Sequence, residues 1–107
     1  MYGLIGKMKS IPGQRDQLIS ILLEGVSGMP GCLSYVVAKD PQDAEGVWIS
    51  EVRETQEKHK ASLSLPSVQA AIKKARPIIA GFGERFETEP VGGHGLAAVE
   101  RRGLTPR

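Results

Sequence analysis

The chain opens on a weakly alternating stretch. Over residues 2–9, Tyr2, Leu4 and Met8 fall on one side of an extended backbone and Ile5 on the other, which predicts a first strand. Gly3 and Gly6 leave room on opposite faces of it for a bulky neighbour, and Pro12-Gly13 ends it. From Gln14 to about Val26 the period changes. Leu18, Ile19, Ile21, Leu22, Leu23 and Val26 recur at helical spacing and predict an amphipathic helix lying on a sheet. The turn Gly28-Met29-Pro30-Gly31 leads into a second strand over residues 32–39. A polar connection over residues 40–46 joins this strand, as a hairpin, to a third over residues 47–53. Thr55 is placed to cap a short helix ending at Ser62, with Glu57 near its positive end. Pro66 suits the first turn of a further helix that carries Val68, Ala71, Ile72 and Ala75 inward, and Pro77 limits it. Residues 84–89, with Phe86 in a polar alternation, predict the last strand.

The order is β-α-β-β-α-β with the second helix broken in two. It predicts an α+β domain of the ferredoxin-like, split βαβ type, its antiparallel sheet covered by helices on one face. The third strand bears on the other face. Trp48 and Val52 point one way while Val47 and Ile49 point the other, so both faces carry apolar side chains. A chain of 107 residues has no spare element to cover the second face. Sheet-to-sheet pairing in a homodimer, a dimeric α/β barrel, is the economical expectation. The tail from Val91, with Gly92-Gly93-His94-Gly95, is too glycine-rich for an independent element. It reaches toward a partner chain or stays unstructured. The expected organisation is one domain over residues 1–90 and a tail over residues 91–107.

Charge changes this picture less than the pI of about 8.9 suggests. Residues 1–90 hold eleven Lys/Arg and eleven Asp/Glu, and the excess comes from Arg101, Arg102 and Arg107 against Glu100. A neutral body with a basic end lacks the electrostatic footprint of a nucleic-acid binder. The single cysteine, Cys32, excludes an intramolecular disulfide and a multi-cysteine zinc site. It follows a turn with no basic neighbour in sequence, so a small core residue is expected there and not a reactive thiol. No apolar run approaches the ~18 residues of a membrane span, and no leader pattern opens the chain. A cytoplasmic protein is the expectation.

The stretch from Trp48 to Pro66, with Glu51-Val52-Arg53, His59-Lys60-Ala61-Ser62 and Leu65-Pro66, resembles the strand-then-helix segment of the antibiotic biosynthesis monooxygenase family. There a Glu-Val-Trp strand end precedes a helix with His-x-x-Ser and a Leu-Pro step. Pro12-Gly13 and Pro30-Gly31-Cys32 sit where that family has turns, and residues 75–82 are similar to its quinol monooxygenase-like members. The resemblance covers about residues 2–90, with one departure: Arg53 stands where many members have tryptophan. It implies a dimeric α/β barrel that oxidises a phenolic, anthrone or quinol substrate with dioxygen and without a cofactor. An electron-rich phenol, once deprotonated, gives an electron to dioxygen itself. The protein then supplies a base, a dry oriented pocket and a group that steadies the anion.

Each candidate for these roles has a plainer alternative. His59 is the candidate base, because an imidazole titrates near neutrality; otherwise it is a surface or capping histidine between Lys58 and Lys60. Glu51, on a central strand, needs a partner if buried and either orients His59 or pairs with an arginine. Trp48 is a wall of the substrate pocket or ordinary core and interface. Tyr35 hydrogen-bonds a substrate oxygen or packs at the sheet edge. Arg53 neutralises a phenolate or, more simply, forms a salt bridge with Glu51 or Glu54. Gly81-Phe82-Gly83 lacks the third glycine and the preceding strand of a dinucleotide fingerprint, and His94 is expected to be an exposed tail residue without a metal role. A non-catalytic small-molecule-binding or stress-response dimeric barrel keeps the fold without the chemistry, since architecture alone does not fix function. Haem degradation, found in related barrels, calls for an asparagine on the first strand, and this chain has no asparagine.

Overall fold

A computed structural model describes residues 1–25 and 29–96. The predicted helix end at Val26, Gly28 of the turn and the arginine-bearing end of the tail lie outside the described residues. The elements run β1 (Tyr2–Ser10), α1 (Arg15–Gly25), β2 (Cys32–Lys39), β3 (Gly46–Arg53), α2 (Gln56–Ser62) and α3 (Pro66–Ala75). A 3-10 turn (Arg76–Ile78) and β4 (Ile79–Thr88) follow. This is the ferredoxin-like α+β arrangement, with the second helix split as the two N-terminal signals predict. Thr55 accepts a hydrogen bond from the Lys58 backbone N–H at 3.1 Å, and Pro66 occupies the first turn of α3.

All strands pair antiparallel in the order β2-β3-β1-β4. Directly opposed residues share a face, so the register sorts the side chains. Leu4 opposes Glu51, Met8 opposes Val47, and Tyr35 opposes Glu51. These residues face the helices. Ile5 opposes Ser50 and Phe86, Lys7 opposes Trp48, and Val36 opposes Ser50, all on the other face.

One boundary differs from expectation. β4 begins at Ile79, five residues before Glu84, and it ends at Thr88. Gly81 and Gly83 depress the intrinsic strand tendency of that segment, but β1 provides the ladder that decides it, through Met8↔Phe82 and Lys9↔Gly81. Register shifts between Gly6 and Met8 and between Lys9 and Ser10 let the two strands stay paired. The room beside Gly3 is filled from within the chain, since a Cβ there would lie 2.0 Å from Thr88 Oγ1.

The core lies between sheet and helices, where Leu18, Ile21, Val47, Ile49 and Ala75 pack together. Leu18 and Val47 are wholly shielded from water, and burial of each such side chain contributes about 1.5–3 kcal/mol. Leu23, counted in the predicted apolar stripe, is half exposed; five residues after Leu18 it lies about 140° around the helix, away from the sheet.

The β2–β3 connection is held by charge. Arg15 Nη1 donates to the carbonyls of Asp43 at 2.8 Å and Asp40 at 3.3 Å. Lys7 Nζ lies 3.0 Å from Asp40 and 3.1 Å from Asp43. The backbone N–H of Glu45, followed by Lys7, holds the Asp43 carboxyl down at about 2.

Candidate active site

Period-two alternation on β3 puts Val47, Ile49, Glu51 and Arg53 on the helix-bearing face, in order from core to strand end. Between this face and the helices lies a cavity of about 600 Å³, within the range of small-molecule sites. Its walls are mainly apolar, from Leu22, Ile49, Ile72, Ile79 and Phe82, while Tyr35, Glu51, Arg53, His59 and Ser62 form one polar group and Arg76 lies apart from them.

Arg53 organises that polar end. Its side chain is 3% exposed and that of Glu51 10% exposed, so each charge needs the other. Arg53 Nη2 and Nε donate to Glu51 Oε1 at 2.7 and 3.0 Å. The remaining arm, Nη1, donates to Ser62 Oγ at 3.3 Å and to the Met29 sulfur at 2.8 Å. Ser62 Oγ in turn donates to the His59 carbonyl at 2.7 Å. The guanidinium therefore ties the end of β3 to both ends of the turn that carries His59. Of the two readings of Arg53, the salt bridge with Glu51 is the one this geometry realises.

His59 is not a surface residue: its side chain is 13% exposed and borders the cavity. Its Nε2 stands 3.9 Å from Glu51 Oε1, too far for a hydrogen bond but close enough for electrostatic attraction. On its other side the Tyr2 ring packs at a centroid distance of 5.4 Å and a tilt of 41°. Burial is the largest influence on the imidazole and lowers its pKa, while Glu51 pulls the other way without prevailing. A neutral histidine with a free proton-accepting capacity faces the cavity as a result.

Tyr35 lines the same space on the edge strand β2. Burial, with the Glu51 charge next in size, pushes its phenol pKa up, which keeps the hydroxyl a proton donor. Among the described residues that hydroxyl has no hydrogen-bonding partner. Tyr35, Glu51, Arg53 and His59 are thus brought together. Trp48 stands apart from them on the opposite face of the sheet, because an even-numbered position on β3 cannot share a face with Glu51. Its indole N–H donates to Asp40 at 3.1 Å and Lys7 lies 5.8 Å over its ring. Cys32 is half buried, with its thiol pKa raised by burial against the opposing charge of Arg53. His94 is exposed. Among the described residues no three His, Cys, Asp or Glu side chains gather as a metal site, and no helix is long and apolar enough to cross a membrane.

Met29, Ser62, Phe82 and Tyr2 belong to this neighbourhood without having been candidates. Ser62 was visible as the last residue of His-x-x-Ser, three positions after His59, a spacing at which a hydroxyl reaches the backbone carbonyl one turn back. Met29 carried no sequence signal.

A sequence profile of the antibiotic biosynthesis monooxygenases matches residues 1–74. A solved structure from Chloroflexus aurantiacus J-10-fl, assigned to the same group, is 66% identical over 90% of this chain and 98% of its own, with a TM-score of 0.87. This chain belongs to the antibiotic biosynthesis monooxygenase family. More distant structures assigned to these monooxygenases share the fold. One from Deinococcus radiodurans is 20% identical, with 87% of this chain and 95% of its own covered and a TM-score of 0.71. Another, from Caulobacter crescentus CB15, is 18% identical over 85% and 90% of the two chains, with a TM-score of 0.76. No curated protein matches the sequence at a significant level. Within the family frame the Arg53 departure acquires a physical meaning: the position carries an ion pair inside the site and no aromatic surface.

Proposed function

We propose that this family member is a cofactor-independent monooxygenase that oxidises a phenolic, anthrone or quinol substrate with dioxygen, with His59 as base. The observation that carries the reading is the neutral, largely buried imidazole beside Glu51 and Arg53 in a largely apolar cavity. For an anthrone the balance is simple. His59 takes a proton from the substrate, and the resulting carbanion transfers one electron to dioxygen. Recombination of the radical pair forms a carbon–oxygen bond, and protonation by the imidazolium gives a hydroperoxide. Loss of the remaining hydrogen on that carbon as a proton, with cleavage of the O–O bond, leaves a carbonyl and one water. Tyr35, an uncommitted donor, steadies the substrate oxygen on which negative charge develops. Glu51 favours the imidazolium while it exists. The two carboxylate–guanidinium charges cancel, so the apolar space remains suited to a neutral ring system.

The same proposal includes a homodimer. The sheet face opposite the helices bears Ile5, Val36, Trp48, Val52 and Phe86, of which Val36 is 56% and Phe86 53% exposed. A second copy set against it buries that surface with its own equivalent.

Oxygen uptake with dithranol or menadiol, compared between the wild type and His59→Ala, tests the reaction. The expected result is turnover in the wild type and a loss of at least about a hundredfold in the variant. Turnover unaltered by the substitution removes His59 from the role of base. Binding without turnover in the wild type favours the non-catalytic small-molecule-binding barrel.

A further inference from the structure

The imidazole of His59 lacks the hydrogen bond that commonly orients a catalytic histidine. Among the described residues no side-chain hydrogen bond reaches it, and Glu51 Oε1 stands 3.9 Å away. A general base needs a fixed tautomer and a fixed direction, and in many sites a second group supplies both. With the carboxylate out of bonding reach, packing sets the direction of this ring. The residue packed on it is Tyr2, with 5.4 Å between ring centroids and a tilt of 41°, a separation at which aromatic rings attract.

The sheet accounts for where Tyr2 stands. β1 is an interior strand, with β3 on one side and β4 on the other. Tyr2 is opposed on β3 by Arg53. Leu4, two residues on and on the same face, is opposed on β4 by Glu87, which puts Glu87 diagonally across from Tyr2 on the helix-bearing side. The Tyr2 hydroxyl donates to Glu87 Oε2 at 2.6 Å, and Arg85 Nη2 lies 3.9 Å from that same oxygen. The hydrogen bond to Glu87 is the largest influence on the phenol and raises its pKa, so the hydroxyl stays a donor. Backbone at one end and carboxylate at the other fix the Tyr2 ring, and α2 sets His59 against it. Among the described residues that line the cavity His59 is present and Tyr2 is not. Tyr2 therefore acts on a bound molecule only through the imidazole.

We propose that Tyr2 is a positioning residue for His59: its ring, tethered through the hydroxyl to Glu87, holds the imidazole against the cavity and shields its outer side from water. This rests on the reading of His59 as the base and adds to it the group that orients that base. The role differs from that of Glu51, which acts through charge from the cavity side. Tyr2 is uncharged. It limits the motions of the imidazole, so less freedom is lost when the reactive geometry is reached.

A double-mutant cycle separates positioning from a general effect on the fold. In the wild-type background Tyr2→Leu is expected to lower kcat for dithranol oxidation about tenfold. KM should stay within about twofold, because substrate does not touch Tyr2. Tyr2→Phe keeps the stacking ring and loses only the tether, so its loss should be about threefold. In His59→Ala, where there is no imidazole to place, Tyr2→Leu should cost less than about twofold. An equal loss in both backgrounds overturns the proposal, and so does a Tyr2→Leu enzyme as fast as the wild type. Proton NMR gives a readout that needs no turnover. The chain has two histidines, so the spectrum of His59→Ala assigns the His59 signals and leaves those of His94 as reference. Charges from Glu51 and Arg53 on β3 and from Arg85 and Glu87 on β4 bear on this ring, and Tyr2→Leu leaves them in place. Opening the outer side of the ring to water should move its titration midpoint up toward 6.5. A midpoint and chemical shifts identical to those of the wild type overturn the contact. Should Tyr2→Leu fold poorly, Tyr2→Thr, suited to a strand by its branched side chain, removes the ring in its place. Absence of turnover in the wild type sinks the reading of His59 as base and this role with it, whereas a His59-dependent reaction indifferent to Tyr2 removes the positioning role alone.

Discussion

His59 owes its character to its surroundings. An imidazole on an exposed helix would titrate close to its ordinary value of 6.5. Here burial makes the charged form less favourable and lowers the value, despite the carboxylate of Glu51 nearby. The sign of the consequence is fixed by which form works. A base is active when neutral, so kcat/KM should rise along a single limb centred below 6.5 and be flat through neutral pH. Stability follows the same direction. Below pH 6.5 the unfolded chain takes up a proton at this site before the folded one does, so folding is weakened as pH falls toward the depressed native value. A pH–rate profile in wild type, set against Glu51→Gln, checks this. Removal of the carboxylate should shift the limb further toward acid, and a shift toward alkali would contradict the assignment. The role of Tyr35 belongs to this scale too, as a donor kept protonated by burial.

At the scale of elements, the segment from β3 to α2 works as one unit. Arg53 at the strand end, Glu51 two residues earlier on the same face, and Ser62 at the helix end are joined by hydrogen bonds through a single guanidinium. Breaking a buried pair on one side leaves an uncompensated charge. Arg53→Met should therefore destabilise the fold by about 3–5 kcal/mol, measured by urea unfolding. Ser62→Ala should cost about 1 kcal/mol, and the double variant less than the sum, because the two residues share a bond. A cost below 1 kcal/mol for Arg53→Met would mean that Glu51 relaxes into solvent, and the rigid unit described here would not exist. Much of this unit was legible beforehand. The Thr55 cap, the end at Ser62 and the pairing of Arg53 with a neighbouring glutamate follow from short-range rules, since all the groups lie within the twelve residues 51–62. The part played by Met29 was not legible. It reaches Arg53 from a different element, and nothing in its own neighbourhood marks it.

For the whole molecule, the register of the sheet divides the apolar residues between two faces with different uses. One set makes the core and the cavity. The other, with the exposed Val36 and Phe86 on its two edge strands, carries the homodimer proposed above. Sedimentation equilibrium is expected to give twice the monomer mass, and Val36→Asp combined with Phe86→Asp should produce a folded monomer. A wild type that sediments as a monomer at tens of micromolar would remove the dimer.

What the sequence determined by itself is the succession of elements and the chemistry available on each. Alternation, helical spacing, caps and turns are local signals, and they set six of the element positions closely. The start of β4 escaped them, because two glycines weaken the local preference and only hydrogen bonding to β1 restores it. The sequence also marked Tyr35, Glu51, Arg53 and His59 as candidates, although it could not say that they meet. Tertiary structure decided that by packing the helices on the face of β3 that bears Glu51 and Arg53, which left Trp48 on the side away from the cavity. It alone lowered the His59 pKa, since burial is a property of packing and not of a residue type.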